Sequence, residues 1–355
     1  MPVPPLPAFP EAAWTRYIRR IGLVEREEPA MLRAYRVVEG RNERLEGAVA
    51  QDVLVSSAWI DLFSPTPQEL ALVQDAFGLE LPTREEMRAI ELSSRVYREA
   101  GGVFLTATVL CRADAPVPET MDVTFVLTGR SLITLRFDDP KPFYGFHNQV
   151  QKQGIRLDTG IVAFVQLLEA ILDRIADVLE GTARDLNTVA QHLLLQGDDR
   201  ARLSSELQAD LLRRIARGHD VTAKARESLV TLARVLAFVA ALKEVVSDKG
   251  LRGRLKTMLQ DSQSLSDYTA FLSSNISFQL DALLGLVGIE QNNIVKIFSV
   301  AAVVFLPPTL VASIYGMNFR HMPELDWTFG YPLALVLMVI SAVVPYLWFK
   351  RRGWL

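Results

Sequence analysis

Two long intervals toward the end of the sequence carry no charge. Between Lys296 and Arg320 there is no Asp, Glu, Lys or Arg, and between Asp326 and Lys350 there is again none; each interval holds 23 residues. As α-helix such a stretch rises ~34 Å, enough to cover a hydrocarbon core of about 30 Å with some tilt. One interval of this kind also suits the buried helix of a soluble protein. Two in tandem, flanked by Lys296 on one side and by Lys350, Arg351 and Arg352 on the other, predict a transmembrane hairpin with spans at about 297–317 and about 329–349. The positive-inside rule puts both basic flanks, and with them both termini, on the cytoplasmic side of the membrane. Tyr315, Trp327, Tyr331, Tyr346 and Trp348 fall near the expected boundaries, where interfacial aromatics gather.

Proline placement divides what precedes the hairpin. Thirteen of the 18 prolines lie at or before Pro142, and the next is Pro307. A proline-free interval of that length can be almost entirely helix. From Ile161 the apolar residues Phe164, Val165, Leu168, Ile171, Leu172 and Ile175 follow helical spacing. Breaks are expected near Gln196–Asp199, Arg217–Asp220 and Asp248–Gly253, with a last long helix starting near Leu255. Before Pro142 the pattern is short and mixed. The run from Ala58 to Phe63 alternates like a strand, and Thr66 to Leu79 reads as a capped helix with proline in its first turn. Ser94–Ala100, Gly101–Arg112 and Met121–Phe137 are β-rich, with hairpin turns at Gly101-Gly102 and Gly129-Arg130. The fold class is α+β. An N-terminal cytosolic α/β domain with a mixed or antiparallel sheet (1–142) precedes a helical bundle and stalk (143–291) and a transmembrane hairpin (292–355).

Composition narrows the chemistry. A formal net charge of −3 gives no lysine and arginine excess for a phosphate backbone, so no nucleic acid is expected as partner. The single cysteine, Cys111, excludes a disulfide framework, and the four histidines are too scattered for a zinc site of familiar spacing. No phosphate-binding glycine loop and no paired nucleophile and base stand out, so the chain does not read as an enzyme. The opening MPVPPLPAFP lacks a basic start followed by an apolar run and reads as a flexible tail rather than a signal peptide.

The segment SIYGMNFRHMPEL, from Ser313 to Leu325, lies where the first span meets the outer loop. Upstream, Asn292, Val295, Phe298, Ala302, Leu306, Thr309 and Ser313 step by three or four and share one helix face. Such a stripe can line a pore or simply pack. Asn292 and Asn318 would stand ~39 Å apart on a continuous helix, one amide near each mouth. The polar members suit a hydrated ion, while Val295, Phe298 and Leu306 can close a neck by dewetting. Pro307-Pro308 cannot donate to the carbonyls of Val303 and Val304, so a kink is expected there, with Thr309 offsetting part of the deficit. Glu324 and Asp326 in the outer loop stand either where a cation arrives or simply in solvent.

The stretch YGMNF followed by MPEL, two C-terminal spans and the basic tail FKRRGWL resemble the CorA family of divalent-cation channels, most specifically over Gly285 to Leu355 and closest to its proteobacterial magnesium-transporting branch. The resemblance implies a homopentamer in the lipid bilayer, with the first span lining the pore. It implies passive, potential-driven uptake of Mg²⁺, with Co²⁺ and Ni²⁺ also passing. It makes Gly316, Met317 and Asn318 the selectivity filter; the related zinc-transporting branch commonly changes that motif. Magnesium dehydrates reluctantly, and a ring of Asn318 amides can hold its water shell without stripping it. Gly316 would let the helix end and the backbones approach, and Met317 would pack. The family closes when cytosolic Mg²⁺ bridges acidic residues between subunits. No local motif transfers those ligands; Asp261 and Asp267 are candidates, or solvated stalk carboxylates. A zinc transporter of the same superfamily and a cytosolic sensor on a membrane anchor are the rival readings.

Overall fold

The strands Trp59–Phe63 and Ser131–Arg136 are buried at every position, the signature of central strands covered on both faces. They are β3 and β7 of a mixed seven-stranded sheet in the computed structural model, which describes residues 31–47, 49–88, 91, 95–152, 155–195, 204–317 and 327–352. The sheet order is β2-β1-β3-β7-β6-β5-β4, with β1 Met31–Val38, β2 Arg41–Glu46, β4 Val96–Glu99, β5 Gly102–Cys111 and β6 Glu119–Thr128. Only β3 and β7 pair in parallel; the other neighbours are antiparallel. The chain divides into a first unit, running to Thr188 and resuming over Arg214–Ile276, and a second, taking Val189–Arg213 and the chain from Ser277 on.

In the first unit one sheet face gathers Leu32, Ile60, Leu62, Val126, Ile133 and Leu135 with Val73 of the helix Pro67–Phe77. After the short α1 (Gln51–Ser56), α2 (Pro67–Phe77) begins as its sequence dictates. Thr66 and Glu69 form a reciprocal capping box, Pro67 occupies the first turn, and Gly78 ends the helix at φ 64°. The short α3 (Arg84–Met87) repeats the box with Thr83 and Glu86, whose carboxyl the Thr83 hydrogen bonds hold low.

The opposite sheet face meets α4 (Lys141–Gln151) and α5 (Gly160–Leu195) and carries buried charge. Asp61 Oδ1 accepts from Thr134 Oγ1 at 2.8 Å and Arg136 Nε at 3.0 Å; Oδ2 accepts from Arg136 Nη2 at 2.8 Å and His147 Nε2 at 2.9 Å. The Tyr35 hydroxyl completes the chain, 2.6 Å from His147 Nδ1. The tautomer with the proton on Nε2 satisfies both contacts, Tyr35 donating to the bare Nδ1. Tyr35, Trp59 and His147 stack, and the Arg136 guanidinium lies between the rings of Phe63 and Phe143. Burial opposes the charge on Asp61, but Arg136 and the hydrogen bonds from His147 and Arg136 outweigh it and hold the carboxyl well below the usual range. Burial lowers His147 below its ordinary value against the pull of Asp61, so the imidazole is neutral, and burial pushes the Tyr35 phenol up to about 12.

The structure corrects several expectations. The helix expected to break at Arg217–Asp220 runs unbroken as α6 (Ser205–Ala240). Gly218 serves packing instead: a Cβ there would come within 3.2 Å of Leu186 of α5, so glycine lets the two helices approach. After α7 (Lys243–Ser247) the last long helix, α8, starts at Lys249 rather than near Leu255, so Gly250 and Gly253 are helical; only Asp248 interrupts. The first hairpin turn is Ala100-Gly101, one residue earlier than expected, because Glu99 pairs with Gly102. Strands β1 and β2 had gone unread. The break expected at Gln196–Asp199 and the proline-rich opening lie outside the described residues. Gly160 fixes the entry of α5, since a Cβ would meet the Ser131 and Leu132 backbone at 2.3 to 2.7 Å.

Candidate functional site

In the second unit, α8 runs to Tyr315 with Pro307 and Pro308 inside it, and α9 covers Gly330–Arg351. Only 11% of the most apolar window of each is buried, which a soluble core helix would not tolerate. The coverage on α8 has a side. Val300 is buried, and Val304, Pro307, Pro308, Val311 and Tyr315 are half-buried, a row at helical spacing. Asn292, Val295, Phe298, Ala302, Leu306, Thr309 and Ser313 are all exposed. At 100° per residue, Val300 stands about 120–180° around from Val295, Phe298, Ala302, Leu306, Thr309 and Ser313, so these lie across the helix from the face the chain covers itself, whereas Asn292, about 80° away, lies to one side. Exposure alone does not select the stripe, because Phe305 and Leu310 at its edge are as open, at 69% and 62%.

At the end of the stripe the last turn tightens. The Gly316 N–H donates to Ala312 O at 2.9 Å and the Met317 N–H to Ile314 O at 3.3 Å, a change from four-residue to three-residue bonding. Gly316 is not in the left-handed conformation that usually ends a helix on glycine, so its place is not owed to that freedom. Met317 is 47% exposed. Asn318, Glu324 and Asp326 lie outside the described residues. The Thr309 hydroxyl donates to Phe305 O at 3.0 Å and Leu306 O at 2.8 Å, not to the carbonyls of Val303 and Val304, so it does not offset the deficit left by the prolines.

Of the two stalk candidates, Asp261 joins other carboxylates. Asp173 of α5 is raised by burial and then by Glu169, Asp177 and Asp261, so α8 brings Asp261 against an acidic row at four-residue spacing. Arg254 bonds Glu169 beside it. Asp267 is exposed and makes no ion pair among the described residues. The buried set of Asp61, Arg136 and His147 was missed at the sequence level; its signal was a single charge in each of two short, otherwise uncharged strands, WIDLF and SLITLR.

A sheet domain followed by a 67-residue helix with an apolar last part and by one further apolar helix, both hardly covered by the chain there, defines an integral membrane protein with a large portion outside the spans. The chain belongs to the family described as CorA-like Mg²⁺ transporter protein, whose model matches residues 56–351. It is 34% identical over 327 residues to the magnesium transport protein CorA of Pectobacterium atrosepticum, covering 92% of this chain and 100% of that one. The magnesium transport protein CorA of Escherichia coli K12 is 33% identical over the same shares. Among solved structures, the complete CorA magnesium transporter of Methanocaldococcus jannaschii has this fold, with a TM-score of 0.69 at 19% identity, covering 92% of this chain and 98% of that one.

Proposed function

We propose that this chain forms a homopentameric channel in the cell inner membrane, with both termini cytoplasmic, through which hydrated Mg²⁺ enters passively down the membrane potential. Co²⁺ and Ni²⁺ pass the same way. The observation that carries the proposal is the α8 stripe from Val295 to Ser313, which faces away from the side the chain covers and precedes Gly316, Met317 and Asn318 in the sequence. One helix cannot enclose a pore, so several copies must present that face to one another. The magnesium transport proteins to which the chain is similar over 92% of its length supply the cargo.

In this reading the Asn318 amide oxygens accept hydrogen bonds from the water shell of the ion, orienting it without the cost of stripping it. Phe298 and Leu306 close the neck by excluding water. Glu324 and Asp326 raise the local cation concentration at the outer mouth. Cytosolic Mg²⁺ closes the channel by bridging carboxylates between copies, with Asp261 and Asp267 as the candidates. The test is flux into sealed liposomes carrying the purified protein, with an internal Mg²⁺ indicator and an inside-negative potential. Inward Mg²⁺ flux that grows with the potential is expected. Flux of Zn²⁺ with none of Mg²⁺ would assign a zinc transporter, and no flux of either would leave a membrane-anchored sensor.

A further inference from the structure

In the first unit Cys111, Glu119 and Asp138 converge. One ligand atom from each lies within 4.8 Å of the other two. Cys111 ends β5, Glu119 opens β6, and the two are direct cross-strand partners, which brings their Cβ atoms to about 5 Å. Asp138 follows the end of β7.

The three side chains are unequal. Cys111 is 3% exposed and in no disulfide, so a buried free thiol stands against two carboxylates. Glu119 and Asp138 keep 48% and 30% of their side chains in water, leaving an approach from solvent. Arg112 now bridges them, Nη1 at 3.0 Å from Glu119 Oε2 and Nη2 at 2.8 Å from Asp138 Oδ2. Two carboxylates this close repel unless a cation lies between them, and the guanidinium fills that role. Half exposed, it is free to swing into water.

We propose that Cys111, Glu119 and Asp138 bind a thiophilic divalent cation of the Zn²⁺ and Co²⁺ class, which displaces the guanidinium of Arg112. Ligand atoms around such a tetrahedral ion stand about 3.5 Å apart, so closure of ~1 Å by the two mobile carboxylates completes three protein ligands, with water as the fourth. Binding breaks the S–H bond, forms a metal–sulfur bond and sends the proton to water; no electron moves. Burial, with Asp138 and Glu119, pushes the free thiol up to about 12, so it stays protonated until the cation arrives. Mg²⁺, which takes oxygen ligands and keeps its waters, does not compete.

Cys111 is the only cysteine in the sequence, so thiolate-to-Co²⁺ charge-transfer absorption has one possible source. The full-length protein in detergent, stripped with chelator, is titrated with Co²⁺. A near-ultraviolet band saturating at one Co²⁺ per chain is expected, abolished by Zn²⁺ and retained in excess Mg²⁺. It should vanish in Cys111→Ser. Arg112→Ala should tighten Co²⁺ binding roughly three- to tenfold, the worth of two exposed ion pairs. No band at millimolar Co²⁺ in the parent overturns the proposal. So does a band unchanged in the Glu119→Gln/Asp138→Asn variant, whose surface positions leave folding intact.

Discussion

In the first unit Asp61 has lost all contact with water, yet each of its oxygens has two donors from Thr134, Arg136 and His147. In the second, Phe298, Phe305 and Leu306 require no hydrogen bond at all, yet they stand 71%, 69% and 65% exposed. One chain is enough to solve the harder problem, a buried charge, and not enough to solve the easier one, an apolar surface. The sheet core is therefore complete within one copy, while the last two helices leave an apolar surface that the chain itself does not cover. Stability and transport should accordingly respond to mutation in different places.

The strongest way to break that division is Asn318→Ala. Mg²⁺ uptake in starved cells should fall to the background of cells lacking the protein, while the oligomer assembles and its unfolding midpoint is unchanged; uptake near the parent rate would remove the filter role. Asp61→Asn addresses the other region. Removing one partner of a buried pair costs roughly 3–5 kcal/mol, so the denaturation midpoint should drop sharply while flux per folded channel survives. Equal loss in both measurements would show that the sheet core takes part in conduction. Leu306→Ser and Phe298→Ser are smaller perturbations, expected to raise flux severalfold at high internal Mg²⁺ by wetting the neck. Unchanged flux in both at matched expression would return the stripe to simple packing.

The smallest effect sharpens the account of the buried charges. The folded His147 is lowered, so below its ordinary value the unfolded chain binds a proton that the folded chain refuses. Its contribution to stability is full above about pH 6.5 and lost as the pH falls below that value. Asp61, also lowered, acts in the same sense further down, with its contribution full above about pH 3.9 and lost below. Thermal unfolding between pH 5 and 8 should show stability falling toward acid, with a shallower slope in His147→Gln, which keeps a donor for Asp61 but cannot titrate. The same slope in both proteins would mean that other groups carry it.

Much of this architecture could be read before any coordinates, and the parts that could not share a cause. Charge-free length and residue spacing are local properties, so the two spans and the strands β3, β5, β6 and β7 were legible. The hairpin of β1 and β2 was not, because Arg33, Arg36, Arg41, Glu43, Arg44 and Glu46 make it look like a polar loop, and because its turn, Glu39-Gly40, reaches positive φ at both positions with a glutamate in the first. Gly218 looked like a helix stop because its real reason, Leu186, lies on another helix. The convergence of Cys111, Glu119 and Asp138 depends on the register of β5 on β6 and on where β7 ends, neither of which spacing along the chain reveals.

Pro307 and Pro308 have a consequence for the azimuth of α8. Neither nitrogen carries a hydrogen, so the carbonyls of Val303 and Val304 have no intrahelical donor, and Thr309 spends its hydroxyl on Phe305 and Leu306. A bare carbonyl in hydrocarbon costs several kcal/mol in lost hydrogen bonding, as a general property of lipid-facing backbone. These two acceptors must therefore turn toward water or toward a donor on another helix. The backbone itself then forbids one rotational setting of the span, the one that would point this turn at the acyl chains, whatever the side chains around it prefer.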